Sequence, residues 1–276
     1  MALPPNTAAA GTPSAGAAGE NTGENTVEPY LTVVLPVYDE ELVLEENLAR
    51  LFAHLEGARF GAAAGAGPGD FEVVAVDDGS HDRSHAILTA AASRDPRLVV
   101  ERLPQNRGKG AAVRHGMLRA RGRYVVFMDA DLSTPLEELR PLLAALEGGA
   151  DAVLGNRRSP GSRIERRQPW LRETLGKGFT LLTQFLLVPG VHDFTCGFKG
   201  FTRAATQRVF TRSTLDRWAF DAEVVVIVAE QGLRLAQVPV RWRHEDDTKV
   251  RIAGAVVRSL ADLVRVRWKR MRGAYR

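Results

Sequence analysis

Five short apolar runs constrain the fold of this chain more than any other feature. They are Leu31–Pro36 (LTVVLP), Phe71–Val76 (FEVVAV), Leu98–Glu101, Tyr124–Met128 (YVVFM) and Ala152–Leu154. None alternates apolar with polar residues, so neither face of these strands is suited to water. Such runs indicate a parallel sheet covered on both faces. The stretches between them carry helical periodicity over Glu40–Leu55, Ser84–Ser93, Gly110–Ala120 and Pro135–Leu146, and the Gly/Ala-rich stretch Gly57–Gly69 reads as a loop insertion. The expectation is an α/β fold, a mostly parallel sheet with helices on both faces.

The 276 residues are long enough to bury a substantial core in one large α/β domain. The single cysteine, Cys196, excludes an internal disulfide and a Cys-cluster metal site, and is compatible with a reducing cytoplasm. Residues 1–29 contain no Lys or Arg and lack a long apolar core, which argues against a signal peptide and for a disordered tail. No stretch reaches the roughly 18 apolar residues of a membrane-spanning helix. The expected organisation is a tail over 1–29, one α/β domain over 30–250 and a basic helix over 251–276.

In an open parallel sheet, ligands bind outside the carboxyl ends of the strands. Three acidic clusters fall at such ends. The first run leads into Tyr38-Asp39-Glu40-Glu41, the second into Asp77-Asp78-Gly79-Ser80, and the fourth into Asp129-Ala130-Asp131. Carboxylates converging on one edge repel one another unless a positive group sits among them. A divalent cation carrying a phosphate ligand suits that place, because Mg²⁺ and Mn²⁺ prefer carboxylate and phosphate oxygens. Other phosphate sites are disfavoured: the chain has no G-x-x-x-x-G-K-[ST], and its first strand lacks G-x-G-x-x-G. The turn Gly108-Lys109-Gly110 is either a plain helix start or a place where Lys109 and nearby amides meet a donor nucleotide.

With these clusters in place, the sequence resembles the family 2 glycosyltransferases of the GT-A fold. The residues that carry the resemblance are VVLPVYDEE at Val33–Glu41, VDDGSHD at Val76–Asp82, NRGKGAAVRHGM at Asn106–Met117 and MDADLSTP at Met128–Pro135. Further segments are similar to the polyprenyl-phosphate branch, dolichyl-phosphate β-glucosyltransferases above all. These are GNRRS at Gly155–Ser159, DFTCGFKGFTR at Asp193–Arg203, RWAFDAEV at Arg217–Val224 and VPVRWRHEDDTKV at Val238–Val250. Two positions depart from the family pattern: Asp39 stands where Asn is usual, and Thr248 stands where Ser usually precedes the lysine.

The resemblance implies a sugar nucleotide donor held by Pro36, Tyr38, Glu40 and Asp77 around base and ribose, with Asp78 and Lys109 in the same pocket. Asp129 and Asp131 would join Mg²⁺ or Mn²⁺ to the diphosphate, Asp131 more directly. The reaction it implies is an inverting transfer of a hexose, glucose from UDP-glucose, to a polyprenyl or dolichyl phosphate at the cytoplasmic face of a membrane. Such an acceptor oxygen is already anionic near neutral pH, so the site needs cations rather than a base. Arg157 and Lys249 lie in the matching segments and Arg172 between them, with Arg243 beside Lys249. Asp193, Asp221, Glu223 and His244 complete the acceptor side. Asp221 and Glu223 also suit the N-terminus of a helix, where acids are favoured. Alternatives are another donor sugar, mannose or N-acetylglucosamine, or a hydroxyl acceptor with Asp221 or Glu223 as base. A membrane-associated scaffold without turnover is a further one.

The formal net charge of +4 is unevenly distributed. Residues 249–276 hold nine Lys or Arg against the single acid Asp262, so the rest of the chain is net acidic. That distribution does not suit a nucleic-acid coat. From Ile252, apolar residues recur at helical steps through Val256, Leu260, Leu263, Val264, Trp268 and Met271. This basic amphipathic helix fits either an anionic membrane surface or packing on the domain.

Overall fold

The computed structural model describes residues 28–58, 70–166, 174, 178, 180–184, 187–243 and 252–276. The expected N-terminal tail up to residue 27, most of the Gly/Ala-rich insertion, and Arg172, His244 and Lys249 lie outside the described residues. The five apolar runs form β1 (Leu31–Val37), β2 (Phe71–Asp77), β3 (Leu98–Arg102), β4 (Tyr124–Met128) and β5 (Ala152–Asn156). Between them lie α1 (Leu44–Gly57), α2 (Ser84–Ala92), α3 (Lys109–Arg119) and α4 (Leu139–Glu147). Helix α1 starts later than the periodicity predicts, because Glu40 O accepts from both Val43 N and Leu44 N and closes a turn ahead of it. Ahead of α4, a 3₁₀ turn occupies Leu136–Glu138.

Beyond β5 come β6 (Arg163–Arg166), β7 (Phe198–Thr202), α5 (Arg203–Phe210), α6 (Phe220–Glu230), β8 (Leu235–Pro239), β9 (Arg241–Arg243) and α7 (Ile252–Met271). The main sheet has seven strands in the order β3-β2-β1-β4-β7-β5-β8. Its β3-β2-β1-β4 half is parallel, whereas β7 runs antiparallel between β4 and β5. Strands β6 and β9 pair separately.

Burial explains why the runs do not alternate. Val34, Val74, Val76, Val125 and Phe127 enter one core with α3, α5, α6 and α7. Val33, Leu35, Val73, Ala75, Val126 and Met128 enter the other with α1 and α4. Strands β1, β2 and β4 thus bury both faces, and the sheet brings their carboxyl ends to one edge.

Candidate active site

The loop after β1 is stitched to the loop after β2. Asp39 N donates to Ser80 Oγ at 3.0 Å, Glu40 N to Ser84 Oγ at 2.8 Å and Glu41 N to Asp82 Oδ2 at 3.1 Å. In return, His81 N donates to Asp39 Oδ1 at 2.8 Å. Asp39 has φ +53°, in the left-handed region that Asn and Asp tolerate best among residues with a side chain. That shared tolerance accounts for an Asp where the resemblance leads one to expect Asn. Pro36 lies in β1 opposite Val76, and the Tyr38 hydroxyl lies 3.5 Å from His81 Nδ1.

The two aspartates that follow β2 have different tasks. Asp78 accepts from Arg107 N at 2.8 Å and Gly108 N at 2.7 Å, so it fixes the turn ahead of α3. Burial pushes its pKa up against those two hydrogen bonds. Asp77 Oδ1 accepts from Ser80 N at 2.8 Å. Its Oδ2 is buried, with Arg102 Nε 3.1 Å and His85 Nδ1 3.3 Å away. Asp77 is thus enclosed by Ser80, Arg102 and His85, whereas both oxygens of Asp78 are engaged by backbone.

Asp129 and Asp131 leave β4 on either side of buried Ala130. Asn47 of α1 donates to Ala130 O at 3.0 Å and anchors the turn. Asp131 Oδ1 accepts from Ser133 N at 2.9 Å. Burial, then the neighbouring Asp129 charge, raises the Asp131 pKa, so this pair favours a cation beside it. Lys109, the first residue of α3, forms an ion pair with Asp129 Oδ1 and lies 5.6 Å from the centre of the Trp218 ring. Burial alone would lower the pKa of its ammonium; Asp129, Asp221 and Asp131 outweigh that and raise it.

Gly197 leaves room for the Asp129 carboxylate. A Cβ at Gly197 would lie 2.1 Å from Asp129 Oδ2, closer than any van der Waals contact. Gly197→Ala is therefore expected to displace that carboxylate and lower turnover by about a hundredfold, with a raised requirement for Mn²⁺. A Mn²⁺ titration of initial rates checks this, and an unchanged titration would mean that the observed Asp129 position is not the working one.

The donor set suits a hard cation. It consists of carboxylate oxygens, and among the described residues no group of three or more His, Cys, Asp or Glu could hold a metal alone. Two carboxylates leave the remaining positions to phosphate and water, as Mg²⁺ commonly requires.

On the acceptor side the structure redistributes the sequence-derived residues. Arg157 donates from Nε to Asp193 Oδ2 at 2.7 Å and from Nη2 to Asp193 Oδ1 at 2.9 Å, and Nη2 also reaches Thr195 Oγ1. Its bidentate face is thus engaged by Asp193, and the guanidinium lies over the Trp242 ring at 5.2 Å. Burial would raise the Asp193 pKa, but Arg157 prevails and holds it below the usual range. Asp193 is wholly buried and orients Arg157 and the 193–195 turn.

Asp221 is buried against Lys199, which the sequence reading did not single out. Lys199 Nζ also donates to Cys196 O at 2.6 Å and is wholly buried beside the Phe127 ring. Burial raises the Asp221 pKa, while Lys199 and Lys109 oppose the shift. Glu223 accepts from Thr214 N, Leu215 N, Thr214 Oγ1 and the Tyr275 hydroxyl at 2.7–2.8 Å, so it fastens the chain terminus to the 214–215 loop. Arg243 N donates to Ser133 O at 2.9 Å, which places β9 beside the turn after β4. Burial pushes the Cys196 thiol up to about 12, consistent with a packing role.

A signal for Lys199 was present in FKGFT, where a lysine stands between core aromatics. A cation there needs a buried anion.

Comparison with known proteins gives the family and the fold. The family model of Glycosyl transferase family 2 matches residues 32–210. A dolichyl-phosphate β-glucosyltransferase of Trichomonas vaginalis is 35% identical over 246 residues, 87% of this chain and 71% of that protein. The dolichyl-phosphate β-glucosyltransferase of Homo sapiens is 30% identical over 254 residues, 89% of this chain and 77% of that protein. Among solved structures, glucosyl-3-phosphoglycerate synthase from Mycobacterium tuberculosis, in complex with Mn²⁺, UDP and glucosyl-3-phosphoglycerate, superposes with TM-score 0.61 at 20% identity. The match covers 87% of this chain and 80% of that one. A mannosyltransferase from Pyrobaculum calidifontis, in complex with GDP-mannose and Mn²⁺, gives TM-score 0.54 at 22% identity, covering 87% and 65%. These likenesses establish the GT-A fold. With the family match and the curated relatives, they make this chain a glycosyltransferase belonging to glycosyl transferase family 2.

Proposed function

We propose that this enzyme transfers glucose from UDP-glucose, with inversion, to a polyprenyl phosphate of the dolichyl type. The observation that carries the reading is the Asp129–Asp131 pair at the end of β4, with Gly197 leaving space for one carboxylate and Lys109 beside it. The names of the relatives support glucose and the lipid phosphate. Asp77, with Arg102 and His85 beside its buried Oδ2, would support the nucleobase pocket, and the stitched 38–41 loop, with Pro36 and Glu40, would form the adjoining wall. Asp129 and Asp131 would hold Mg²⁺ or Mn²⁺. When bound, the ion would stabilise charge on the departing diphosphate.

The acceptor class follows from what Asp221 and Glu223 are already bonded to. A hydroxyl acceptor needs a base within reach. Asp221 is buried on Lys199, and Glu223 accepts four internal hydrogen bonds. An acceptor that arrives already anionic needs neither. Arg157 would present its remaining edge to that phosphate, with Arg172, Arg243, His244 and Lys249 proposed on the same side. Incubation with UDP-glucose and a short polyprenyl phosphate should release UDP only when both substrates and a divalent cation are present. UDP release independent of the lipid phosphate would refute the acceptor assignment.

The membrane side of the proposal rests on α7. Leu263, Val266 and Tyr275 are buried in the core shared with α6, so one face packs on the domain. Leu260, Val264, Trp268 and Met271 are exposed at helical steps, with Trp268 47% accessible. Arg272 lies 3.8 Å above the Trp268 ring, and Arg265 and Arg267 are exposed nearby. Among the described residues no helix is long and apolar enough to cross a membrane. An apolar stripe edged by arginines fits the surface of an anionic leaflet, here the cytoplasmic one. The triple variant Val264→Glu/Trp268→Glu/Met271→Glu is expected to lose at least about tenfold in affinity for phosphatidylserine vesicles while keeping its melting curve. Unchanged co-sedimentation would contradict a docking role for this face.

A further inference from the structure

We propose that Lys109 is a resident counter-cation of the metal site: it holds Asp129 until a divalent ion and a nucleotide diphosphate arrive together, and then transfers to the diphosphate. The proposal rests on the metal-site reading above and deepens it. Its basis is the contrast between a fixed backbone and a side chain with two possible partners.

The Lys109 backbone has little freedom. Asp78 binds the N–H groups of Arg107 and Gly108 just ahead of it. Gly108 adopts φ +110°, and a Cβ there would lie 2.7 Å from Asp216 O. The start of α3 is therefore clamped between the β2 loop and the 215–216 segment. From this fixed point the flexible four-carbon stem carries a point charge, and the ammonium rests on Asp129 Oδ1 with the Trp218 ring on another side. Only 15% of the side chain is accessible, so the ion pair is poorly screened by solvent. The next carboxylate, Asp221, is already bonded to Lys199. Asp129 is thus the anion that retains Lys109 in the absence of substrate.

A divalent ion on Asp129 would repel the ammonium from that place. Without nucleotide, Lys109 would give up an ion pair and gain none, so the bare cation binds weakly. With nucleotide, the diphosphate supplies a new anion, so cation and nucleotide strengthen each other. Removing the lysine should consequently have opposite effects on the two ligands. Lys109→Met should bind Mn²⁺ alone more tightly and bind UDP, in the presence of Mn²⁺, more weakly. A lysine that merely braced α3 would shift both in the same direction.

The test is titration of the full-length protein with Mn²⁺ alone, read by the electron paramagnetic resonance signal of free Mn²⁺, and by calorimetry with UDP at saturating Mn²⁺. Asp131→Asn serves as the blank for Mn²⁺ bound elsewhere. Lys109→Met is expected to gain about tenfold in affinity for Mn²⁺ alone and to lose about tenfold for UDP. Lys109→Gln should behave in the same way if the Met variant folds poorly, and Lys109→Arg should retain the weak Mn²⁺ binding of the parent. Unchanged or weaker Mn²⁺ binding in folded Met and Gln variants, with the parent binding Mn²⁺ in the presence of UDP, overturns the counter-cation role alone. A parent protein that binds no Mn²⁺ above the blank, with or without UDP, overturns the metal reading itself.

Discussion

Asp131→Ala is expected to lower glucosyl transfer by at least about a thousandfold while the protein keeps its fold. The size follows from the function proposed for the site. An ion held by Asp131 would offset charge on the leaving diphosphate by several kcal/mol, and each 1.4 kcal/mol is about tenfold in rate. The structural loss is small in comparison. Asp131 accepts from Ser133, each such hydrogen bond being worth about 1 kcal/mol, and its removal relieves the repulsion by Asp129 that helps raise its pKa. Urea denaturation and steady-state rates on the same preparation separate the two effects. A folded Asp131→Ala protein with ordinary metal-dependent turnover would contradict the site.

The second large effect concerns stability. Lys199→Met leaves Asp221 buried in the core without its partner, and breaking a buried ion pair in this way costs about 3–5 kcal/mol. Lys199→Met/Asp221→Leu removes both charges and should recover most of that loss, because an apolar pair of similar volume does not leave a bare charge behind. Equilibrium unfolding of the two variants and the parent checks the order. A Lys199→Met protein within about 1 kcal/mol of the parent would show that the pair is not the buried one described. The double variant also addresses the acceptor. If Asp221 were a general base, its loss would lower kcat by about 10²–10⁴-fold. With an anionic acceptor, kcat should instead remain within about tenfold of the parent.

Much of the fold was legible because both-sided burial leaves a pattern in each strand. LTVVLP, FEVVAV and YVVFM have no polar face, and each became a strand with neighbours on two sides. The antiparallel β7 was not legible. Its segment, FKGFT, contains a lysine and a glycine that argue against a strand when taken locally. Tertiary contacts explain both: Lys199 reaches Asp221, and a Cβ at Gly200 would strike Leu142 of α4 at 2.3 Å. The insertion of β7 between β4 and β5 also brings Gly197 against Asp129, a contact across 68 positions of sequence that no local pattern encodes.

The site divides in the same way. Asp77, Asp129 and Asp131 could be read from their positions at strand ends, because the topology of a parallel sheet fixes where such ends go. The partners of the remaining charges could not. Asp193 engages the fork of Arg157 and leaves its other edge for a phosphate, and Glu223 holds Tyr275. Residue type identifies a charge, but three-dimensional packing decides whether that charge faces a ligand or another side chain. Of the two readings the sequence left open for the C-terminal helix, packing on the domain is seen at Leu263 and Val266, while Val264 and Trp268 remain exposed. The nine basic residues of 249–276 stand against the net acidic remainder of the chain.

The most direct test of the central claim is a donor and acceptor panel with purified protein, in which nucleotide release and the acid stability of the product are read together. The account predicts UDP release from UDP-glucose that requires both a polyprenyl phosphate and Mg²⁺ or Mn²⁺, and a glucolipid cleaved by mild acid. Transfer to a hydroxyl acceptor, giving an acid-stable glycoside with no response to the lipid phosphate, would contradict it.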